Sequence, residues 1–313
     1  MCYTGKLLLL RNGIDAMISV VIPVHNREQL IARAIESVTA QSLAAGEIIV
    51  VDDASTDRTA EVVVGIGRRL STLTLVRLKE NVGAAKARNI GIENTRGDLI
   101  AFLDSDDVWY PEKLSKQIIA FEEKNDVVAV FCGLVADNPD TGRRHCIMPK
   151  ADVRVEDLYR YNILMTMSCA MVRRSVLSDI GGFDELLPPC EDWDLFIRLA
   201  EVGRLSVVQE ALVEQPVHDG PRISRDRQRV VAAFNAIFEK NYARISDPSL
   251  MRKVRASYEM RMADIYSADF CFEPFRAISH SCKALLIRPS PNALNNLRHV
   301  MRKSCKNIFS RSM

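Results

Sequence analysis

The stretch Ile100-Ala101-Phe102-Leu103-Asp104-Ser105-Asp106-Asp107 decides how this chain is read. A short apolar run, Leu99 to Leu103, suits a buried strand, and it passes directly into a turn carrying three carboxylates. Core packing does not account for that turn, because clustered like charges repel and their removal from water is costly unless hydrogen bonds or a cation offset it. A divalent cation supplies such an offset. Mg²⁺ or Mn²⁺ takes oxygen ligands, retains waters, and commonly binds one or two carboxylates together with substrate phosphates. An isolated D-x-D also occurs in ordinary surface loops, so the surrounding pattern has to decide.

Upstream and downstream, short β-rich runs alternate with helical patterns. Ile18 to Val24, Glu47 to Val51, Leu73 to Leu78, Leu99 to Leu103 and Val127 to Phe131 are strand candidates, short, apolar and bounded by turn residues. Leu30, Ile31, Ala34, Ile35 and Val38 recur at helical spacing, Ser55 or Asp57 can cap a helix through Val62 to Val64, and Pro111 fits a first-turn position before Leu114 and Ile118. Strand then helix, repeated, predicts an α/β fold with a mostly parallel sheet covered on both faces. Ligands of such sheets gather beyond the carboxyl ends of the strands. Here those ends read Pro23-Val24-His25-Asn26-Arg27, Asp52-Asp53-Ala54-Ser55, Glu80-Asn81-Val82-Gly83 and Asp104-Ser105-Asp106-Asp107. Four polar loops are thereby expected to form one pocket rim.

The section from about 136 to 220 is less regular. It predicts a strand near Met165 to Val172, a Gly181-Gly182 turn, a helix from Glu191 to Val202 closed by Gly203, and two strands, Leu205 to Gln209 and Leu212 to Val217. After His218-Asp219-Gly220-Pro221 the pattern is helical to the end. The expected organisation is an extension over residues 1–16, non-native or disordered, an α/β domain over 17–220, and a basic helical region over 221–313.

A chain of 313 residues with 48% hydrophobic and 26% charged residues is neither fibrous nor disordered in character. Its apolar runs, such as Leu7 to Leu10, fall far short of the roughly 20 residues that cross a bilayer. The opening segment lacks a small-residue cleavage site and makes a poor signal peptide. Eight cysteines show no C-x-x-C pair and no zinc-ligand spacing, which points to reduced thiols and a cytoplasmic protein. The net charge of +2 conceals an asymmetry. From Pro221 onward there are 18 Lys and Arg against 7 Asp and Glu, a net +11; the rest carries 24 against 33, a net −9. An acidic region that can hold a cation thus precedes a basic one that can face phosphate or a membrane surface.

Four ordered motifs resemble family 2 glycosyltransferases of the GT-A fold: Ile18 to Asn26, Val50 to Asp57, Asn81 to Gly91, and Ile100 to Asp107. The similarity covers about Met17 to Val217, and His25 stands where Tyr or Phe is commoner. The resemblance implies that Pro23, Val24 and Asn26 line a nucleoside pocket, that Asp53 reads the base edge, that Asp104 and Ser105 lie near the ribose, and that Asp106 binds Mg²⁺ or Mn²⁺. Lys86 and Arg88 would assist the phosphates, although exposed cations on a helix explain them equally well.

A second constellation, Gly181-Gly182-Phe183-Asp184-Glu185 followed by Cys190-Glu191-Asp192-Trp193, looks like the family's acceptor-side element. An acceptor hydroxyl needs a carboxylate within hydrogen-bond reach to take its proton. Asp192 is the expected base, with Glu191 orienting the acceptor; the plainer reading is that both complement a helix N-terminus. His218 and Arg222 resemble a loop that closes over the diphosphate, where a neutral imidazole completes the metal shell; the plainer reading is an isolated, solvated loop histidine. Trp109 and Tyr110 suit either stacking on a ligand or core packing. The implied activity is inverting transfer from a nucleoside-diphosphate sugar, UDP-linked by expectation, to a glycan or lipid-linked oligosaccharide, with no nucleic-acid partner. A non-catalytic nucleotide-binding or membrane scaffold is a rival reading, which the retained Asp192 opposes. A sugar nucleotidyltransferase is another, and it would want glycines after the first strand where His25-Asn26-Arg27-Glu28 stands. Arg298, Arg302, Lys303, Lys306 and Arg311, near Leu297, Val300, Ile308 and Phe309, suggest peripheral contact with an anionic inner leaflet.

Overall fold

The computed structural model describes residues 16–122, 126–137, 143–187, 189–216, 226–268 and 273–310. In chain order its elements are β1 (Ile18–Val24), α1 (Ile31–Thr39), β2 (Glu47–Asp52), α2 (Thr59–Gly67), β3 (Leu73–Arg77), α3 (Ala84–Glu93), β4 (Leu99–Phe102), β5 (Val108–Trp109), α4 (Lys113–Glu122), β6 (Val127–Asp137), β7 (Arg144–Ile147), α5 (Val155–Leu158), β8 (Met171–Arg173), α6 (Arg174–Asp179), α7 (Glu191–Val202), β9 (Arg204–Gln215), α8 (Arg227–Tyr242), α9 (Pro248–Ser267), α10 (Pro274–Ile287) and α11 (Pro291–Ser310). Contacts divide the chain into two units. The first holds the sheet, namely Met1–Arg154, Ile163–Glu185 and Leu195–His218; the second holds Val155–Asn162, Leu186–Asp194 and Asp219–Met313. The division cuts α7 after its first turn, so Glu191 and Asp192 fall in the second unit.

In the first unit the sheet runs β3-β2-β1-β4-β8-β6-β9-β5, with β7 on β6. The four strands β3, β2, β1 and β4 are parallel, which brings their carboxyl ends to one edge in that order. From β8 outward the sheet is mixed: β8 is antiparallel to β4 and β6, β9 is parallel to β6, and β5 is antiparallel to β9. The parallel expectation thus describes the nucleotide half and not the remainder. Alternate residues of β2 fill opposite faces: Ile48 and Val50 pack with Ile31, Ile35 and Val38 of α1, while Ile49 and Val51 pack with Ala87 and Ile90 of α3. The helix α3 lies so close to β1 that a Cβ on Gly91 would stand 2.3 Å from Val21 Cγ1.

Two predicted elements differ. The strand expected over Met165 to Val172 is a short 3-10 turn, Met167–Cys169, followed by β8. Thr166 caps that turn by accepting the Ser168 N–H, and Met165 adopts a positive φ of 71°, which strand backbone does not. The two strands expected after Gly203 are one continuous strand, β9, whose pairing with β6 shifts register near Cys132–Leu134, in bulges that absorb Gln209 and Glu210 and then Leu212. Neither Ser55 nor Asp57 is the cap residue of α2, which is Arg58; Asp57, one position earlier, accepts from the Thr59 N–H and hydroxyl and is held below the usual carboxylate range although desolvation, the largest influence, works the other way.

Beneath the sheet lies an uncommon core group. Lys113 is 0% exposed, donates to Gln117 Oε1 at 2.8 Å and sits 3.9 Å over the Trp109 ring, while Gln117 donates to the Val130 and Cys169 carbonyls. Burial brings the Lys113 ammonium down from 10.5 to about 8. An unfolded chain holds that proton across the window in which the folded chain has released it. Stability therefore rises with pH between about 8 and 10.5, by about 3 kcal/mol from this group. Urea midpoints measured across the window are expected to show that rise in the parent and to lose this component in Lys113→Met.

In the second unit α8 and α9 start on Asp226 and Asp247, whose carboxylates accept first-turn N–H groups, and α9, α10 and α11 each begin with proline. Met262, Ala263, Ile265, Tyr266, Ala277 and Val300 form its core. Val300, expected from the sequence among membrane-facing residues, is fully buried there. Arg298, Arg302 and Lys303 lie on α11; the side chains of Lys306, Ile308 and Phe309, and Arg311 itself, lie outside the described residues.

Candidate functional site

The loops after β1, β2, β3 and β4 meet through side chains that hold one another's backbone. His25 Nδ1 lies 2.7 Å from the Asp53 carbonyl oxygen, and the Asp53 carboxylate accepts the N–H groups of Val82 at 2.7 Å and Gly83 at 2.9 Å. That pins the start of α3 to the end of β2. Asn26, at φ 52°, receives the Thr56 N–H on Oδ1 at 2.8 Å and gives its own N–H to Ser55 Oγ at 2.9 Å. Ala54 also has positive φ, 55°. Such backbone persists only where neighbours over-determine it, and it gathers at binding sites. Pro23 is partly exposed at this rim. Val24 contributes backbone only: its side chain is buried in the core and its carbonyl accepts the Asp53 N–H.

The acidic turn separates its three carboxylates. Asp104 accepts from Arg88 Nη2 at 2.7 Å on one oxygen and from Thr166 Oγ1 at 2.8 Å on the other, and its N–H goes to Ser168 Oγ. Asp106, partly exposed, faces Arg27 at 3.9 Å, and its carbonyl receives Arg33. Asp107 is 1% exposed; burial above all, then the charges of Asp104 and Asp106, push its carboxyl well above the usual range despite hydrogen bonds to Ser168 and Gln215. Ser105 is buried. Of the two cations on α3, Lys86 is exposed, whereas Arg88 is buried with its guanidinium 5.5 Å from the Phe183 ring centre and bonded to Asp104. Arg88 accordingly shapes the carboxylate cluster directly.

Thr166, Ser168 and Asn89 escaped the sequence reading. Thr166 and Ser168 support the acidic turn from a segment read as strand, although Thr166-Met167-Ser168 is a capping pattern that could have been noticed. Asn89 clasps the Gly181-Gly182-Phe183 loop, taking the Phe183 N–H at 2.8 Å and donating to the Phe183 carbonyl and Glu185, each at 2.9 Å. Gly182 sits at φ 64° with Asn89 Oδ1 2.5 Å from where a Cβ would be, so both conformation and space demand glycine. Trp109 takes the packing role: it is buried and donates to the Ser168 carbonyl at 2.9 Å.

In the second unit, α7 opens on Glu191 and Asp192, both partly exposed. Asp192 accepts the Trp193 N–H at 2.7 Å and Glu191 the Cys190 N–H at 3.0 Å. Cys190 adopts φ 118°, a strained conformation for a side-chain-bearing residue, and burial, with Asp192 and Glu191 nearby, pushes its thiol up to about 12. Trp193 anchors the turn by donating to the Leu158 carbonyl at 2.6 Å and by edge contact with Phe234.

A model of the family described as glycosyl transferase family 2 matches residues 19–181, which contain all four rim loops and end at the first glycine of the Gly181-Gly182 turn. The chain belongs to glycosyl transferase family 2. Among family members, an uncharacterized glycosyltransferase of Rickettsia prowazekii is 32% identical over 214 residues, and the match covers 66% of each chain, slightly under two thirds of that relative's length. The amylovoran biosynthesis glycosyltransferase AmsE of Erwinia amylovora is 27% identical over 189 residues, covering 60% of this chain and 71% of AmsE. Residues 1–349 of TarS from S. aureus, solved with UDP-GlcNAc, superpose with a TM-score of 0.58 at 20% identity, covering 93% of this chain and 92% of that one. The last likeness is one of fold.

Among the described residues no three His, Cys, Asp or Glu side chains converge as a ligand set for a metal. The donor chemistry nevertheless fits a hard divalent cation that takes few protein ligands and completes its shell with phosphate and water. Asp104 is held by Arg88 and Thr166 and Asp107 is enclosed, whereas Asp106 is partly exposed beside Arg27. His218 and Arg222 lie outside the described residues.

Proposed function

We propose that this protein is an inverting glycosyltransferase that moves a sugar from a nucleoside-diphosphate sugar, UDP-linked in the first instance, to a hydroxyl of a glycan or lipid-linked oligosaccharide. The observation that carries the reading is the division of labour in the acidic turn, where Asp104 is fixed by Arg88 and Thr166 while Asp106 remains at the rim beside the Asp53 and Asn26 loops. The UDP-GlcNAc complex of TarS and the polysaccharide role in the name of AmsE support the donor and acceptor classes.

Asp53 and the Asn26 loop present hydrogen-bonding groups to a base, Pro23 an apolar edge, and Asp104 an ordered carboxylate for a ribose hydroxyl. Asp106, with His218 as the resemblance implies, would hold Mg²⁺ or Mn²⁺. When bound, that ion supplies Lewis-acid stabilisation of the departing diphosphate. Lys86 adds positive charge from α3 toward the same phosphates. Asp192 takes the proton of the acceptor hydroxyl as its oxygen attacks the anomeric carbon, and Glu191 orients the acceptor. One displacement on one face inverts that carbon and needs no enzyme nucleophile. Contact of the basic helical region with an anionic membrane surface would bring the protein to a lipid-linked acceptor.

Thermal unfolding with UDP, GDP and dTDP, each with and without Mn²⁺, tests the donor half. At a hundredfold excess over Kd a bound nucleotide adds about 2.7 kcal/mol. Metal-dependent stabilisation by UDP above the others is expected; no stabilisation by any of the three would remove the donor assignment.

A further inference from the structure

From Pro274 to Met313 the chain contains eight Lys and Arg and not one Asp or Glu. A solvated helical surface ordinarily mixes signs, so this uniform sign marks a surface whose partner is anionic. The structure adds what the sequence hides. On α10, Ala277, Ser281 and Ala284 are buried, and Ala277 belongs to the core of the helical unit. The opposite stripe, at positions i, i+4, i+7 and i+11, consists of Phe275, Ser279, Cys282 and Leu286. Phe275 is 84% exposed and Leu286 82%. Two large apolar side chains three turns apart on one outward stripe are not surface scatter, because each gives up the burial that its unit could supply.

Charge lines one side of this stripe. Lys283 lies roughly two turns along α10 from Phe275 and Arg288 follows the last turn, both exposed. Arg276 is on the same flank, 2.8 Å from Glu273 and over the Tyr266 ring. Helix α11 exposes Leu294 and Met301 together with Arg298 and Arg302. An apolar stripe bordered by cations is the pattern of a helix lying in the headgroup region of an anionic bilayer, where apolar insertion and electrostatic attraction add. No helix of the described residues is long and apolar enough to cross a membrane. We propose that the outward face of α10, with Phe275 and Leu286 inserted and Lys283 and Arg288 on the headgroups, is a docking surface for anionic lipid. This deepens the membrane-contact part of the reading above and relocates it from the chain end to α10; it rests on that reading for its purpose, and on none of its chemistry.

The test uses the full chain and vesicles of phosphatidylcholine with or without phosphatidylglycerol. Flotation with the anionic vesicles alone, weakening as salt is added, is the expected result for the parent. Each apolar side chain withdrawn from insertion lowers partitioning on the order of tenfold, so Phe275→Ser/Leu286→Ser should float about a hundredfold less. Lys283→Glu, which leaves the apolar stripe intact, should lower it roughly fivefold or more. A fluorophore on exposed Cys282, with Cys2, Cys146, Cys190, Cys271 and Cys305 replaced by serine, should shift to the blue on binding. The proposal is overturned if the parent ignores anionic vesicles, if Phe275→Ser/Leu286→Ser floats like the parent, or if the same face instead holds a second copy, seen as a dimer that those substitutions dissociate without any vesicle binding. Nucleoside diphosphate release toward a soluble acceptor, followed in the same preparations, separates loss of docking from failure of the transfer reading.

Discussion

Asp106→Ala is expected to lower sugar transfer roughly a hundred- to thousandfold, the usual cost of deleting one group that stabilises charge developing on a leaving group. The same substitution should abolish the Mn²⁺-dependent part of UDP binding while leaving the fold intact. The reason lies in how the turn apportions its carboxylates. Both oxygens of Asp104 are occupied by Arg88 and Thr166, and Asp107 is enclosed where its charged form is disfavoured. Asp106, partly exposed and 3.9 Å from Arg27, is the carboxylate proposed to meet the cation and the diphosphate. Titrating Mn²⁺ into parent and variant in the presence of UDP, by calorimetry, checks the binding half; equal metal dependence in both proteins would assign the cation elsewhere.

Asp192→Asn is expected to lower transfer by about a hundred- to ten-thousandfold, the range attributed to a positioned general base. UDP and Mn²⁺ binding should remain at parental strength. The amide keeps the oxygen that accepts the Trp193 N–H, so the helix start is retained, while the proton acceptor and the long 3.5 Å bond from Asn162 Nδ2 are lost. Glu191→Gln should cost less, because Glu191 is assigned to orientation. A parental rate in Asp192→Asn would return both carboxylates to the role of complementing the helix dipole.

Much of the nucleotide half was legible in the sequence because its signals are local. The β1 run Ile18 to Val24 and the helix from Glu191 to Val202 coincide with the observed elements, since each is bounded by turn residues or glycine and carries an unambiguous period. The segment Met165 to Val172 was not legible as a 3-10 turn. Its apolar residues suit a strand, and only the fold shows Thr166 and Ser168 directed at the acidic turn. The same holds for Arg88, whose position in a polar loop-to-helix motif suggested phosphate although burial assigns it to Asp104. Charge counting located a basic region correctly but not its outward face. Val300 looks like a membrane-facing residue by its neighbours and is a core residue by its contacts, whereas Phe275 and Leu286 look like core residues and stand in solvent. Periodicity tells which residues share a stripe, and not which of two stripes the rest of the unit will cover.

The central claim is transfer with inversion from a nucleoside-diphosphate sugar. Proton NMR of the reaction mixture, with UDP-sugar, Mn²⁺ and a glycan acceptor, tests it most directly. A product whose anomeric configuration is opposite to that of the donor, appearing in step with UDP, is the predicted result. Retention of the donor's configuration, or donors and acceptors that all persist unchanged, would contradict it.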